Sequence, residues 1–380
     1  MLSVRRGMVS VLLFLATAWV GWAQQREFAI GPVKAAAGTR ASGWLSVPAA
    51  GEQPRRFSRP GADVSPGWAG LEEEASRIPV TVVHGAKPGP VLALIAGTHG
   101  YEYAPIVAMQ RLAQKVEPRE LAGTVIVVHV ANMPSFLART VYYSPLDGQN
   151  LNRVYPGKEN GTLSERIAWT ITHEVIERAD YVVDLHCGDG NEALRPYTYW
   201  MVPGGKQTPV AEKSRQMALA FGLDHIVIDT ERSPDPNRSV YTSNTAITRG
   251  KPSITTETGG LGRIDDDGPE LAEAGAVNLL RHFGMLAGGS RSDVRRAAEP
   301  VWIDRSVVLR SKATGTFHAR VKPGQRVGQG ALIGLLTDFF GNTVEEVRAP
   351  FEGVVLYVVA TPPVRQSEPL GMIGHIQGEK

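Results

Sequence analysis

Four short stretches of this 380-residue chain carry side chains able to bind a metal ion, move a proton or hold an anion. In Gly97-Thr-His-Gly-Tyr-Glu102, His99 and Glu102 stand three apart on a glycine-containing turn, so an imidazole and a carboxylate can converge on one ion. In Asp184-Leu-His186-Cys-Gly-Asp-Gly190, His186 closes an apolar run. Asp184, two residues back along an extended strand, shares its face and can orient a ligating imidazole. In Ile254-Thr-Thr-Glu257-Thr-Gly-Gly260, Glu257 leaves an apolar strand beside a glycine pair, where a carboxylate can act as general base toward a metal-activated water. In Asp147-Gly-Gln-Asn-Leu-Asn-Arg153-Val-Tyr-Pro-Gly157, Arg153 offers a rigid fork for a carboxylate and Asn152 a neutral donor and acceptor. Each stretch alone has an ordinary structural explanation: a tight turn, a histidine bonded to backbone, a capping glutamate, a surface loop. Together they assemble a His, Glu, His set for one catalytic Zn2+ per chain with a position left open for water, plus a base and an anion clamp.

Three of the four follow apolar runs, as expected where open α/β sheets build their sites. Residues 91–96 are continuously apolar, the signature of a strand buried on both faces, and 104–116 carry apolar residues at helical spacing. Strands are also expected over 124–130, 181–185, 198–202, 226–228 and 253–256, and helices over 163–178 and 269–286. Strands alternating with helices give an α/β fold with a mixed, mostly parallel sheet flanked by helices over 78–290. After the charged linker 290–299, residues 300–380 show short β-type runs between Gly and Pro and no helical pattern, which reads as a small all-β domain.

The rest of the chain narrows the class. Forty Lys and Arg against 38 Asp and Glu, with no basic block, leave no nucleic-acid footprint. A single cysteine excludes an intramolecular disulfide and a cysteine-cluster zinc site. Arg5 and Arg6, an apolar run over 8–20 and the small residues Gly21 and Ala23 read as a signal peptide over 1–23, hence an exported protein, periplasmic or secreted. No later run is long enough for stable membrane insertion. Residues 24–77, rich in Gly, Ala, Pro and Ser, read as an extended lead-in with room for one hairpin.

The order His-x-x-Glu, Asn-Arg, His, Glu resembles the zinc carboxypeptidase superfamily. Within it, Ala96-Gly-Thr-His-Gly-Tyr-Glu102, the 147–157 stretch and Asp184-Leu-His186 are similar to the motifs of the succinylglutamate desuccinylase/aspartoacylase family. The resemblance spans about residues 78–376 and implies a zinc-carboxypeptidase-like fold with an appended β-domain. It implies His99, Glu102 and His186 as zinc ligands, and Glu257 as the base that deprotonates water and passes the proton to the leaving amine. Asn152 and Arg153 would grip the substrate carboxylate, and Arg139 would polarise the scissile carbonyl. Tyr101, Ala104-Pro105 and Asn150 depart from the family pattern; at Asn150 some relatives carry an Asp that supports the first histidine.

The stretch 315–330 with 348–353 looks like a lipoyl/biotinyl-type hammerhead, but no lysine lies between Pro323 and Glu379 to carry a prosthetic group, so the domain reads as structural or as a wall beside the site. Cys187 should turn away from His186 as a buried, inert thiol, and the seven remaining histidines have no motif context. The resulting expectation is an exported zinc hydrolase cleaving an amide bond in a small-molecule or short-peptide substrate that bears a carboxylate, such as an N-acyl amino acid. A metallocarboxypeptidase acting on peptides or cell-wall fragments is the competing enzyme, and a non-catalytic binding protein would have no chemical need for all four of His99, Glu102, His186 and Glu257.

Overall fold

The computed structural model describes residues 26–49, 76–288 and 299–378; the expected signal peptide, and the linker up to Glu299, lie outside the described residues. The strands up to the linker are β1 (Glu27–Ile30), β2 (Val33–Ala36), β3 (Thr39–Ser46), β4 (Arg77–His84), β5 (Lys87–Ala96), β6 (Ala122–Val128), β7 (Tyr181–Gly188), β8 (Glu192–Leu194), β9 (Tyr197–Met201), β10 (His225–Asp229) and β11 (Ser253–Gly260). The α-helices are α1 (Tyr103–Lys115), α2 (Met133–Ala138), α3 (Leu163–Ile171), α4 (Pro209–Phe221), α5 (Thr242–Thr248) and α6 (Gly268–His282). After the linker come β12 (Val301–Arg310), β13 (Gly315–Ala319), β14 (Arg326–Val327), β15 (Leu332–Thr337), β16 (Thr343–Arg348), β17 (Gly353–Val359), β18 (Pro363–Val364) and β19 (Pro369–Ile376). None of the helices among the described residues is long and apolar enough to cross a membrane.

Alternation along the apolar strands splits the core in two. On β5, Leu92, Leu94 and Ala96 face one cluster, under α1, α4 and α6; Ala93 and Ile95 face the other, under α3, α5 and the β1–β2 hairpin. The N-terminal lead-in is therefore part of the fold, because Ile30, Val33 and Leu45 are needed to cover the second face.

The expected mixed, mostly parallel sheet is present over 78–290: β5 runs parallel to β6 and β7, β7 to β11, and β9 to β10, while β9 is antiparallel to β11, and β4 to β6 and to β3. The chain passes from β7 to β9 through the short β8 without a helix, and a connection that short reverses direction. The C-terminal segment is all-β among its described residues, as expected, with its own apolar cluster around Leu309, Phe317, Ile333 and Val355, and it shares a sheet with the α/β part. β12 pairs in parallel with β10, and β19, β17 and β14 extend the same thirteen-stranded sheet, while β13, β15, β16 and β18 form a separate four-stranded sheet. Tyr197 and Val227 pack with Ile303, Leu356 and Met372 across that join.

A chain ending at residue 288 would expose the edge of β10 and this apolar cluster. It is expected to be insoluble or to lack cooperative unfolding; recovery of a soluble monomer with a single sharp thermal transition would contradict the shared sheet.

Candidate active site

β5 hands the chain to Gly97, whose φ of 71° makes the turn; a Cβ there would stand 2.9 Å from the Val130 Cα. Gly100 is packed so tightly that a Cβ would lie 2.2 Å from the Thr140 carbonyl oxygen. This turn brings Glu102 to the start of α1 without spending its side chain on capping. The carboxylate folds back instead. Its Oε2 accepts the His99 backbone N–H at 2.9 Å, and its Oε1 lies 2.8 Å from His99 Nδ1 and 2.6 Å from His186 Nδ1.

His186 and Glu257 come from β7 and β11, the strands next in order after β5, and are direct register partners. Both strands run further than expected, so these residues lie within them rather than beyond their ends. Three neighbouring strands less than 5 Å apart thus deliver the four residues to one place.

The far nitrogens are also engaged. His99 Nε2 lies 3.2 Å from Asn150 Oδ1, and His186 Nε2 lies 3.0 Å from Asp184 Oδ1, an ion-pair contact outside hydrogen-bond geometry that leaves both buried Asp184 oxygens without a hydrogen bond. Imidazoles that present Nδ1 to a metal need an acceptor for Nε2–H. Asp184 has the orienting position expected for it, and Asn150 occupies the supporting position without a charge.

Burial works against ionising the two histidines, but Glu102 for His99, and Asp184 with Glu102 for His186, outweigh it and raise both. Burial likewise pushes Glu102 up, and the two imidazoles overcome it and hold the carboxyl far below its ordinary range. A buried group of one anion and two imidazoles, with ligand atoms all within 4.8 Å, calls for positive charge, and a dication fits it. Two nitrogens and one carboxylate oxygen are the donor set of catalytic zinc. Burial, reinforced by Glu102 and Glu192 against His186, drives Glu257 well above the usual carboxylate range, the direction that suits a base near neutral pH.

These residues line a cleft of about 1000 Å³, at the upper end for small-molecule sites. Arg153 and Arg232 both stack on Tyr241, with guanidinium carbons 4.5 and 3.5 Å from the ring centroid. Asn152 also lines the cleft: its Oδ1 accepts the Thr242 N–H at 3.2 Å, and its Nδ2 lies 3.4 Å from His186 Nε2. Arg139 is not brought to the site. Its guanidinium bonds to Tyr103, and it is absent from the cleft lining. The residue caps the C-terminal end of α2 in the left-handed region.

Cys187 is buried, and burial holds its thiol protonated, as expected of an inert cysteine, although it contributes to the cleft floor. Residues not anticipated from the sequence complete the cleft: Tyr142, Glu192, Tyr197 and Tyr199, and Arg310, Tyr357 and Met372 from the C-terminal strands. Asp189 ties the walls together, accepting the backbone N–H groups of Tyr101 at 2.9 Å and Tyr142 at 3.1 Å. Two acids, Asp189 and Glu192, within six residues of a candidate ligand were the signal available for this part.

Residues 88–283 match the family described as the succinylglutamate desuccinylase/aspartoacylase catalytic domain. The chain is 32% identical over 292 residues to the N-alpha-acetyl-L-2,4-diaminobutyric acid deacetylase of Halomonas elongata, covering 74% of this chain and 80% of that one. Among solved structures, its fold is similar to a succinylglutamate desuccinylase/aspartoacylase from Rhodobacter sphaeroides (TM-score 0.72, 23% identity, 90% of this chain and 96% of that one). It is similar also to the product-bound ectoine utilization protein EutE (DoeB) from Ruegeria pomeroyi (TM-score 0.73, 24% identity, 88% and 95%).

Removing the acceptors behind the imidazoles should loosen the metal group. Asp184→Asn and Asn150→Ala are each expected to weaken zinc binding by about 10- to 100-fold, read by competition with a chromogenic chelator. Unchanged affinity in both would show that other contacts hold the imidazoles.

Proposed function

The chain belongs to the succinylglutamate desuccinylase/aspartoacylase family, and from that membership we propose an exported, zinc-dependent amide hydrolase that deacylates a small amino-acid-like substrate bearing a carboxylate. The observation that carries this reading is the register pairing of Glu257 with His186, which sets a base beside the His99, Glu102 and His186 group. A zinc ion held by those three residues would supply Lewis acidity and lower the pKa of water to about 7.

Glu257, open to the cleft, takes a proton from the attacking water and gives it to the nitrogen of the leaving amine. Arg153 has no carboxylate partner among the described residues and binds the substrate carboxylate, with Tyr241 keeping its fork flat against the wall. Asn152 has its Oδ1 held by the Thr242 N–H, which leaves its Nδ2–H groups to donate to the substrate carboxylate beside Arg153. The carbonyl-polarising role implied for Arg139 has no support in its position beside Tyr103. Export rests on Arg5, Arg6 and the apolar run that follows.

The Halomonas relative, an N-alpha-acetyl-L-2,4-diaminobutyric acid deacetylase, supports deacylation of an N-acyl amino acid. A metallocarboxypeptidase acting on peptides or cell-wall fragments is the second reading, favoured by a cleft larger than an N-acyl amino acid requires.

Zinc-loaded protein is expected to hydrolyse N-acetyl amino acids faster than C-terminal peptides. Glu257→Gln should lower kcat by at least about 100-fold while keeping its zinc. An undiminished kcat in this variant would remove Glu257 from the reaction, and failure to cleave any N-acyl amino acid would end the deacylase reading.

A further inference from the structure

The cleft also holds a carboxyl that the hydrolysis above does not use. Glu192, the first residue of β8, accepts a hydrogen bond from the Tyr142 hydroxyl at 2.5 Å. Tyr142 stands edge-on to His99 with ring centroids 5.7 Å apart, so Glu192 sits one tyrosine length from the metal group. The carboxyl is half-buried and reaches the cleft, and no Lys or Arg pairs with it among the described residues. Burial, with Asp189 and Glu102 nearby and Tyr142 opposing, pushes it up to about 8. Five of the chain's ten tyrosines line this cleft. Tyr241 is covered by arginines, whereas Tyr197 and Tyr357 both lie close enough to Glu192 to feel its charge.

His99 and Arg310 stand nearby, the latter beside Tyr357, but neither forms an ion pair with Glu192, which leaves its carboxyl open to a cation of the substrate. Ring faces attract ammonium groups, and an ammonium beside Glu192 would return the carboxyl to its ionised form. We propose that Glu192, with Tyr142, Tyr197 and Tyr357, is a specificity site for an ammonium group on the substrate. The cleft then offers Arg153 for a carboxylate and Glu192 for an amine. The substrate is an amide carrying both charges, either an N-acyl diamino acid or a short peptide with a free amino terminus. This inference rests on the amide-hydrolase reading above.

The test compares matched substrates with and without the amine: N-acetyl-L-2,4-diaminobutyrate against N-acetyl-L-norvaline, and alanyl-alanine against isobutyryl-alanine. In the zinc-loaded wild type, kcat/KM should favour the amine-bearing member of one pair by at least about tenfold, the pair in question identifying the source of the amine. That ratio should fall to about one in Glu192→Gln and recover in part in Glu192→Asp, which keeps the charge. No preference in either pair, or a preference that survives Glu192→Gln, overturns the proposal. Should the wild type cleave none of the four, equilibrium binding of L-2,4-diaminobutyrate against L-norvaline still decides it. Tighter binding of the diamine that is lost in Glu192→Gln keeps the amine site while the deacylase reading fails, and equal binding rejects the site.

Discussion

Glu102 is only 1% exposed and is nonetheless held as an anion, and most of the architecture around the cleft exists to make that tolerable. A carboxylate taken out of water costs several kcal/mol unless positive charge and hydrogen bonds replace the solvent. The replacement here is the His99 N–H and two imidazoles, one from the turn after β5 and one from β7. Both must arrive at the same height. The β5–β7 register sets Ala96 opposite Leu185, and Gly97 begins the turn one residue later. A slip of one residue in β7 would send His186 to the opposite face, leaving Glu102 buried and short of one imidazole. The same carboxylate that makes the fold exacting suits the site to a metal, since one dication would satisfy all three groups.

The residues at the ends of parallel strands were legible in the sequence. His99, Glu102, His186 and Glu257 follow apolar runs and are flanked by glycines, so local pattern marked them, and the structure gathers all four. What could not be read came from long-range topology. Tyr199 and Tyr197 belong to a strand whose reversed direction follows from the short passage through β8, and Tyr357 and Arg310 belong to strands more than a hundred residues further along. Asn152 was placed correctly, but its amide faces Thr242 and His186, a pairing invisible without the fold. Arg139 was carried by resemblance alone, and nothing in its own surroundings draws it toward the cleft.

The C-terminal segment shows the same limit. Its short strands and turns were readable, but pairing of β12 with β10 spans a linker and could not be inferred from local pattern. The consequence is functional: β12, β17 and β19 supply one wall of the cleft, so the sheet that carries the metal group also shapes what reaches it. Arg153 and Glu192 both line the cleft, which therefore carries groups of opposite charge.

The central claim is that His99, Glu102 and His186 hold one metal ion through both Nδ1 atoms. A crystal structure of the zinc-loaded chain, with anomalous diffraction collected across the zinc edge, tests it most directly. The account predicts a single strong peak about 2.0–2.2 Å from His99 Nδ1, a Glu102 oxygen and His186 Nδ1, with Asn150 and Asp184 on the far nitrogens. A peak held through Nε2, by other residues, or missing altogether would contradict it.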